Sequence, residues 1–527
     1  MQLHQLLAGL PDAQITGPTD IEISGIAYDS RAVRPGSLFV AIRGFHADGH
    51  AYIPQAIERG ATAVVVEAGT FQRSNVSTFE RSAPITWVEV DSSRTALAPI
   101  AAAFYGYPGA AMRVVGITGT DGKTTTTFLT SAVLEAGGHT TGLMGTVDFK
   151  VAGRQWANDT RQSTPEAPEV QALLREMVGA GCDYAVLEST SHALSARWNR
   201  LGGALFDVAL LTNVTHEHLD FHGSVEQYRR DKARLFEMLG ETFERSNVRT
   251  FKRSNKVAIV NADDPHHRMF LDAAPASAER LTYAVNSPAD VRAYDVVSSQ
   301  DGLRFRVETP WGRARLNLKL TGDFNVANAL AALTVGLAEG VPIDAAARAL
   351  EAIPGVRGRM ERIEQGQPFT VLVDYAHTPG AFEKLMGIVR PLTRGQLIAV
   401  FGSAGERDRE KRAIQGEVAA RYCDLLVLTD EDPRLEDRDA IIAEIAQGVE
   451  RANQTRAEPR PHLRIPDRPA AIRAAFERAR PGDIVLLLGK GHEGCIFYGN
   501  EKIPWDEAGA ARAALRAMGY EGGKVTG

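Results

Sequence analysis

Apolar positions along the chain fall into short runs separated by stretches of helical spacing. Runs such as Ala63–Val66 and Ile484–Leu488 have the length of buried strands and are bounded by turn residues. The longer stretch Ser93–Phe104 is instead predicted to be a helix that ends at the turn residues GYPG. From residue 112 onward the two kinds of element alternate, as at DYAVLEST, FDVALLTNV and KVAIVNADD. Such alternation predicts a parallel sheet covered on both faces, so we expect an α/β protein.

Two segments rich in turn residues interrupt this alternation, GYPG at residues 106–109 and IPGVRGRM at residues 353–360. Between them, residues 290–320 have the pattern of a β-meander. Further helices are predicted at Tyr52–Arg59 and Asn325–Glu339, and further strands at Asp20–Tyr28, Phe369–Asp374, Gln396–Phe401, Leu425–Thr429 and Asp483–Leu488. We therefore expect three α/β domains, at residues 1–107, 108–355 and 356–527.

Composition and charge narrow the class of protein. A chain of 527 residues suits about three or four domains, and 44% apolar with 24% charged residues is ordinary for a globular protein. The net charge of −6 shows no basic excess that would indicate a nucleic acid or an anionic membrane as partner. We predict a cytoplasmic protein, because the three cysteines are scattered and the sequence has neither a signal-peptide pattern nor a long apolar run.

A short sequence occurs twice, as TFQRSNVSTFERS at residues 70–82 and as TFERSNVRTFKRSN at residues 242–255. Two separated copies do not make a solenoid, which needs contiguous units. Because surface loops tolerate insertions, we interpret both copies as loop insertions without a function of their own.

A glycine-rich turn between a predicted strand and a predicted helix indicates a phosphate site. Its glycines let backbone N–H groups approach phosphate oxygens, and the helix N-terminus adds a partial positive charge. Lys123 would reach the terminal phosphates, and the hydroxyl of Thr124 would ligate Mg²⁺. The loop residues are Gly119, Thr120, Asp121, Gly122, Lys123, Thr124 and Thr125.

A second cluster, THEHLDFHG, carries histidines and an aspartate at alternate positions. His216, His218, Asp220 and His222 come close to the HxHxDH pattern of binuclear zinc hydrolases, whose imidazoles and carboxylate gather two metals. The match is displaced by one residue, and a zinc hydrolase would leave the phosphate loop unexplained. This interpretation is therefore the weaker alternative.

The loop GTDGKTTT resembles the ATP loop of the Mur ligases, GTNGKT, with Asp121 in place of Asn. The resemblance continues in TNVTHEHLDFHG at residues 212–223, although His216 and Glu217 replace the usual Arg-Asp, and in YRRDKARLF at residues 228–236. It implies that Glu188 and His218 hold a second Mg²⁺. It also implies that Lys232 is carbamylated, which turns a cation into an oxygen ligand.

The same resemblance implies binding residues for the other substrates. Contacts to a UDP-linked substrate would come from Ser30, Arg31, Ser163, Thr164, Ser191 and His192. Contacts to ATP from outside the loop would come from Asn325, Arg359, Asp374 and His377, with helix capping as the alternative role of Asn325. Contacts to an incoming amino acid would come from Glu431, Asp432, Pro433, Arg434, Gly489 and Glu493. The pattern G-x-G-x-x-G at residues 489–494 is a poor dinucleotide site, because strand and turn rather than helix follow it.

The resemblance implies a fold and an activity. The fold would combine a small N-terminal UDP-binding α/β domain, a central P-loop parallel-sheet ATPase domain and a C-terminal Rossmann-like α/β domain. The activity would be ATP- and Mg²⁺-dependent addition of the third amino acid to UDP-N-acetylmuramoyl-L-alanyl-D-glutamate, through an acyl phosphate, in peptidoglycan synthesis. We expect a monomer.

The identity of the amino acid depends on two neighbouring residues. Arg434 favours meso-diaminopimelate, because a guanidinium suits its distal carboxylate. Asp432, where Asn is usual, favours the plain amine of L-lysine or L-ornithine. We expect meso-diaminopimelate. The alternatives are L-lysine or L-ornithine, a sibling ligase or, from other classes, a zinc hydrolase or a non-enzymatic nucleotide-binding scaffold.

Overall fold

The computed structural model describes residues 1–44, 47–70, 84–160, 162–215, 219–241 and 255–521. These residues form two compact units, residues 1–291 with 330–342 and residues 292–329 with 343–527. Parallel sheets covered by helices confirm the predicted α/β class. Within the described ranges, no helix has the length and apolar character needed to cross a membrane. The predicted domain boundaries at residues 107 and 355 stay predictions.

The first unit begins with a five-stranded sheet of order β1-β5-β4-β3-β2, in which only β1 runs antiparallel to its neighbour. Its elements are α1 (Leu3–Leu6), β1 (Gln14–Thr16), β2 (Gly25–Ala27), β3 (Ser37–Val40), α2 (Ile53–Glu58), β4 (Ala63–Glu67), β5 (Thr86–Val90) and α3 (Ser93–Phe104). The predicted strand at Asp20–Tyr28 is wrong before Gly25, because the backbone N–H of Ile23 bonds instead to the carbonyl of Met1.

The same unit continues with a larger sheet whose strands run in the order β13-β12-β11-β6-β10-β7-β8-β9. Its elements are β6 (Arg113–Thr118), α4 (Lys123–Ala136), β7 (Thr141–Met144), β8 (Asp148–Val151), β9 (Arg154–Ala157), α5 (Ala167–Gly179), β10 (Tyr184–Glu188), α6 (Ser191–Leu194), β11 (Val208–Leu211), α7 (Leu219–His222), α8 (Val225–Glu237), β12 (Val257–Asn261), α9 (His267–Ala273) and β13 (Glu279–Ala284). All strands from β13 to β7 are parallel. Strand β6 lies between β10 and β11, so the loops at their carboxyl ends meet where parallel sheets bind ligands.

An antiparallel meander and two helices follow along the chain. The elements are β14 (Val291–Ser299), β15 (Gly302–Thr309), β16 (Gly312–Leu318), α10 (Phe324–Ala338) and α11 (Ile343–Ala352). Strand β15 pairs antiparallel with both β14 and β16. The predicted meander at residues 290–320 and the predicted helix after it are therefore confirmed.

The rest of the second unit is a six-stranded sheet of order β17-β18-β22-β19-β20-β21, with β17 alone antiparallel. Its elements, with a terminal hairpin and helix, are β17 (Glu361–Ile363), β18 (Thr370–Asp374), α12 (Pro379–Leu392), β19 (Leu397–Phe401), α13 (Glu410–Tyr422), β20 (Leu425–Leu428), α14 (Arg438–Asn453), β21 (His462–Arg464), α15 (Arg468–Arg478), β22 (Ile484–Leu488), β23 (Cys495–Tyr498), β24 (Glu501–Pro504) and α16 (Glu507–Ala517). One apolar core contains residues of α12, α13 and α14, and another contains residues of α15 and α16. The sheet is thus covered on both faces, and the parallel strands end at one common edge.

Candidate active site

The glycine-rich loop runs from the end of β6 to the start of α4, as expected. Gly119 has a φ of +146°, and a Cβ there would lie 1.8 Å from Oγ1 of Thr212, so a side chain cannot be accommodated. Gly122 precedes the helix in the left-handed conformation, with a φ of +84°. Its lack of a side chain keeps the first N–H groups of α4 uncapped, which leaves them able to bind an anion.

Residues just beyond β11 hold the loop in place. The carbonyl of Asp121 accepts hydrogen bonds from Thr212 Oγ1 at 2.6 Å and from Asn213 Nδ2 at 3.1 Å. Oδ1 of Asn213 accepts the N–H of Asp121 at 3.1 Å, and the carbonyl of Asn213 accepts the N–H of Thr120 at 2.7 Å. The loop therefore has its shape before any nucleotide binds.

Two lysines contact this loop. Nζ of Lys123 donates to the carbonyls of Gly119 and Thr120, both at 2.9 Å. Nζ of Lys232, on α8, donates to the same Gly119 carbonyl at 2.6 Å and lies 4.5 Å from the centre of the Tyr228 ring. The side chain of Lys232 is buried, which is rare for lysine. The structure thus brings both predicted lysines to the phosphate loop.

Glu188, at the end of β10, lies beside the first turn of α4. Its buried carboxylate accepts hydrogen bonds from Thr124 Oγ1 at 3.2 Å, Thr146 Oγ1 at 2.9 Å and the N–H of Thr146 at 2.8 Å. Thr124 and Glu188 together offer the hard oxygen donors that Mg²⁺ prefers. The sequence reasoning missed Thr146. Its place just after β7, at the carboxyl edge of the sheet, is the signal that could have identified it.

The segment predicted to bind the UDP-linked substrate contacts Glu188 and Thr146. Oγ1 of Thr164 donates to the carbonyl of Glu188 at 2.7 Å, and Oγ of Ser163 lies at hydrogen-bond distance, 2.6 Å, from Oγ1 of Thr146. The segment is therefore held against the backbone of Glu188 and against Thr146, which itself binds the Glu188 carboxylate.

Ser191 and His192 begin α6, directly after the β10 segment. Oγ of Ser191 is 3.0 Å from Nε2 of His222, whose Nδ1 is 2.6 Å from a carboxylate oxygen of Asp231. The ring of His192 packs on Phe221 with centroids 4.1 Å apart. His222 therefore has an internal structural role that orients Ser191.

The two predicted residues of the N-terminal sheet region have local contacts. Ser30 Oγ donates to Gln55 Oε1 at 2.6 Å, and the exposed guanidinium of Arg31 binds the Asp29 carboxylate, which lowers the pKa of Asp29. Tyr28, just before them, donates to Glu169 of α5 at 2.8 Å. Burial, assisted by Glu169, raises the pKa of Tyr28. Tyr28 thus connects this segment with the larger sheet region.

Arg200 is a second residue that the sequence reasoning missed. Its guanidinium donates to the carbonyl of Thr164 at 3.1 Å and to Glu166 at 2.7 Å. The guanidinium groups of Arg200 and Arg94 lie 4.3 and 4.4 Å from the ring centre of Trp198. These contacts hold the backbone of the substrate segment. No motif marks Arg200, because its partners lie far away in the sequence.

Some predicted residues lie outside the described part of the chain. They are His216, His218 and nearly all of the two repeat insertions, and the side chain of Asp220 is likewise not described. Within the described ranges, no group of three or more His, Cys, Asp or Glu side chains is arranged to hold a metal ion. The predicted metal ligand His218 accordingly stays a prediction.

The residues predicted to meet ATP from the second unit occupy its carboxyl edge. Asp374, at the end of β18, accepts the N–H groups of Met360 and Ala376, both at 2.8 Å, and burial raises its pKa. Arg359 lies 5.3 Å from the Tyr375 ring, and its buried Nε has no hydrogen-bond partner among the described residues. Such a guanidinium can receive an anion.

Two further predicted ATP contacts have partners of their own in the second unit. Nδ1 of His377 lies 3.0 Å from the carbonyl of Tyr375, and burial lowers the pKa of His377. Nδ2 of Asn325 donates to the carbonyl of Thr321 at 2.7 Å, and its Oδ1 accepts from Asn328 at 2.9 Å. Asn325 therefore links the segment before α10 to the first turn of that helix, but neither bond satisfies a backbone N–H group as a helix cap would.

Carboxylates and a buried lysine cluster after β20 and β22. Nζ of Lys490, which is fully buried, donates to Asp432 at 2.9 Å and to Glu493 at 2.6 Å. Asp432 also accepts the N–H of Phe497 at 3.1 Å. Lys490 was missed by the sequence reasoning, and it neutralises the charge that Asp432 adds. With its charge neutralised, Asp432 favours a plain amine less than its sequence position suggests.

Glu431 and Arg434 flank Asp432 and Pro433 in this cluster. Burial raises the pKa of Glu431 to about 7, and its Oε2 has no hydrogen-bond partner in the described part of the chain. A Cβ at Gly489, whose φ is +97°, would lie 2.8 Å from that oxygen. Arg434 has a left-handed backbone with a φ of +55°, and its buried Nε is without a hydrogen-bond partner among the described residues. The edge therefore offers one guanidinium and one carboxylate to a ligand.

Comparison with known proteins adds independent information. Three families match consecutive parts of the chain: the Mur ligase family, catalytic domain, at residues 22–105, the Mur ligase middle domain at 117–336 and the Mur ligase, glutamate ligase domain, at 358–491.

The relatives match over nearly the full length. A UDP-N-acetylmuramyl-tripeptide synthetase of Roseiflexus sp. (strain RS-1) is 68% identical over 99% of this chain and 100% of its own. A UDP-N-acetylmuramoyl-L-alanyl-D-glutamate–2,6-diaminopimelate ligase of Geobacillus kaustophilus (strain HTA426) is 38% identical over 98% of this chain and 100% of its own. A solved structure of a ligase with that second name matches with a TM-score of 0.66 at 28% identity, over 98% of this chain and 99% of that one.

Proposed function

Because the chain belongs to the Mur ligase family of ATP-dependent ligases, we propose that it adds meso-diaminopimelate to UDP-N-acetylmuramoyl-L-alanyl-D-glutamate in peptidoglycan synthesis. The three-domain architecture agrees with the fold expected from the sequence. The single observation that carries the proposal is a preformed phosphate loop beside Glu188 and the substrate segment. The alternative of a zinc hydrolase has no support from the family membership.

The first chemical problem is that a carboxylate is a poor electrophile. In the proposed mechanism the side-chain carboxylate of the substrate's D-glutamate attacks the γ-phosphorus of ATP. The bond to the β,γ-bridging oxygen breaks, and ADP leaves. We assign the N–H groups at the start of α4, together with Lys123, to the phosphate oxygens, whose charge they neutralise.

The metal site in this proposal uses oxygen donors of the chain. Thr124 and Glu188 would hold Mg²⁺, joined by His218 and by a carbamate on Lys232. Bound Mg²⁺ supplies charge neutralisation at the phosphates. The geometry supporting this assignment is the 3.2 Å separation of Thr124 Oγ1 and Glu188 and the burial of Lys232 against the loop.

The second step forms the amide bond. The deprotonated amine attacks the acyl carbon, a tetrahedral intermediate forms, and the carbon–oxygen bond to phosphate breaks. Inorganic phosphate leaves, carrying one oxygen of the original carboxylate. The role of the chain is to position the two reactants and to keep water from the acyl phosphate.

The proposal of meso-diaminopimelate rests on the partners at the edge of the second unit. Arg434 has a buried Nε without a hydrogen-bond partner among the described residues, which suits the distal carboxylate of meso-diaminopimelate. Lys490 neutralises Asp432, so the added aspartate does not repel that carboxylate. The relative from Geobacillus kaustophilus carries diaminopimelate in its name.

A lysine or ornithine substrate is the second candidate. Glu431 favours it, because a buried carboxylate oxygen without a partner in the described residues suits a distal ammonium group.

We further propose that the enzyme is a cytoplasmic monomer, because the chain itself carries both the phosphate loop and the amino-acid edge. Size-exclusion chromatography with light scattering tests this, and a dimer mass contradicts it.

An amino-acid panel tests the proposed function. The purified protein is incubated with the UDP-linked dipeptide, ATP and Mg²⁺, and with meso-diaminopimelate, L-lysine or L-ornithine, while phosphate release and product mass are followed. We expect turnover with meso-diaminopimelate and its loss in Lys123→Ala. Phosphate release with none of the three amino acids contradicts ligase activity. Trace phosphate release that is equal in the wild-type protein and in Lys123→Ala indicates a nucleotide-binding scaffold.

A further inference from the structure

One buried arginine holds two separate segments at the amino-acid edge. Arg468 is the first residue of α15, and its side chain is 0% exposed. Nη1 donates to the carbonyl of Asp430 at 2.8 Å, and Nη2 donates to the carbonyl of Leu488 at 2.8 Å. Asp430 directly precedes Glu431 in the chain, and Leu488 directly precedes Gly489. A single guanidinium therefore sets the spacing of both segments assigned to the amino acid.

A second side chain fixes the orientation of that guanidinium. Glu507, at the start of α16, accepts from Nε of Arg468 at 2.9 Å and from Nη2 at 2.7 Å. Its Oε2 also accepts from Trp505 Nε1 at 2.6 Å. A buried ion pair adds little net stability compared with a packed apolar pair, so stability alone is a weak reason for this arrangement. Directional bonding to two strand ends is a stronger reason.

We infer that Arg468 is a positioning residue for the incoming amino acid, acting through the carbonyls of Asp430 and Leu488. This inference rests on the proposed function. The planar fork of a guanidinium can bond two carbonyls and a carboxylate at once, at fixed angles. A lysine has a compact ammonium on a flexible stem and cannot reproduce those directions. Replacement by lysine therefore keeps the charge opposite Glu507 but loosens the spacing between the two segments.

The test separates amino-acid binding from the other steps. In Arg468→Lys we expect the KM for the amino acid to rise about tenfold, because binding groups must be held within about 0.5 Å of their productive positions. The KM values for ATP and for the UDP-linked dipeptide stay unchanged. The acyl phosphate, trapped with hydroxylamine in the absence of amino acid, forms at the wild-type rate. A general structural defect would instead lower the trapping rate as well.

The chain offers a matched control at the opposite end of the same sheet. Arg390 binds Asp424 at 2.6 Å and the carbonyl of Gly395, just before β19, at 3.0 Å. It thus also combines a carboxylate with a backbone carbonyl, but at the amino ends of the strands. Arg390→Lys is expected to leave the KM for the amino acid unchanged.

A milder variant covers the case in which Arg468→Lys does not fold. Trp505→Phe removes the Nε1–H donor to Glu507, and we expect the KM for the amino acid to rise about threefold, since one hydrogen bond that orients Glu507 is lost. An unchanged amino-acid KM in the folded variants, or equal changes in all three KM values, overturns the positioning role. Absence of ligation by the wild-type protein is a different result, because it contradicts the proposed function itself.

Discussion

Replacement of Arg434 by asparagine tests how the distal end of the amino acid is recognised. Arg434 adopts a left-handed backbone conformation, with a φ of +55°. Asparagine tolerates that conformation better than other residues with a side chain, so the variant removes the guanidinium with little backbone strain. The N–H of Arg434, which donates to the carbonyl of Phe497 at 3.0 Å, is retained.

The expected loss follows from the partners of the guanidinium. Because its buried Nε has no hydrogen-bond partner among the described residues, a ligand carboxylate would gain a charge-assisted bond there. Such bonds contribute about 1.5–3 kcal/mol. This corresponds to a fall of about 10- to 150-fold in kcat/KM for meso-diaminopimelate. L-lysine and L-ornithine lack a distal carboxylate, so we expect their kcat/KM values to be the same in the variant as in the wild-type protein.

The assay compares kcat/KM for the three amino acids at saturating ATP and UDP-linked dipeptide. Arg421→Asn is the control, since Arg421 is half exposed and pairs with Glu383 away from the amino-acid edge. An equal fall for all three amino acids would show that Arg434 supports the fold of the edge rather than the distal carboxylate. No fall for meso-diaminopimelate would refute the assignment of Arg434.

Three further changes probe the phosphate loop and the buried carboxylate. Lys123→Ala is expected to lower kcat on the order of 100- to 1,000-fold in steady-state assays, since the cation assigned to the phosphate oxygens is lost. A smaller effect contradicts this role. Gly119→Ala places a Cβ 1.8 Å from Thr212 Oγ1, so we expect the free energy of unfolding, measured by chemical denaturation, to fall by about 1–3 kcal/mol. ATP binding, measured by calorimetry, should weaken as well. Wild-type values in both measurements would refute this expectation. Burial raises the pKa of Glu431 to about 7, so its carboxylate is neutral below that pH and anionic above it. The KM for the amino acid should therefore fall as pH rises through about 7, and Glu431→Gln should flatten that profile.

The elements of the parallel sheets could be predicted well from the sequence. An apolar run bounded by turns identified the strand Ile484–Leu488, and the helix predicted at Ser93–Phe104 also has the bounds that the structure has. The phosphate loop was also predictable, because its glycines, lysine and threonines are contiguous in the sequence, although its contacts to Thr212 and Asn213 were not. The strand predicted at Asp20–Tyr28 was wrong over its first half, because the N-terminal segment takes the hydrogen bonds of that stretch.

Side chains whose partners are distant in sequence could not be predicted. Lys490 and Asp432 are 58 positions apart, and Thr146 and Glu188 are 42 apart. Each pair exists only because parallel strands end at one edge of a sheet. Lys490 matters most, because it neutralises the charge that Asp432 alone would add to the edge. The same limit applies to Arg468, whose carbonyl partners carry no sequence signal at all.

Isotope transfer from the dipeptide to phosphate tests the central claim most directly. The side-chain carboxylate of the D-glutamate is labelled with ¹⁸O, and the released phosphate and the ligated product are analysed by mass spectrometry. Ligation through an acyl phosphate predicts one labelled oxygen in each phosphate and an equal amount of tripeptide product. Unlabelled phosphate, or phosphate without tripeptide, would contradict that chemistry.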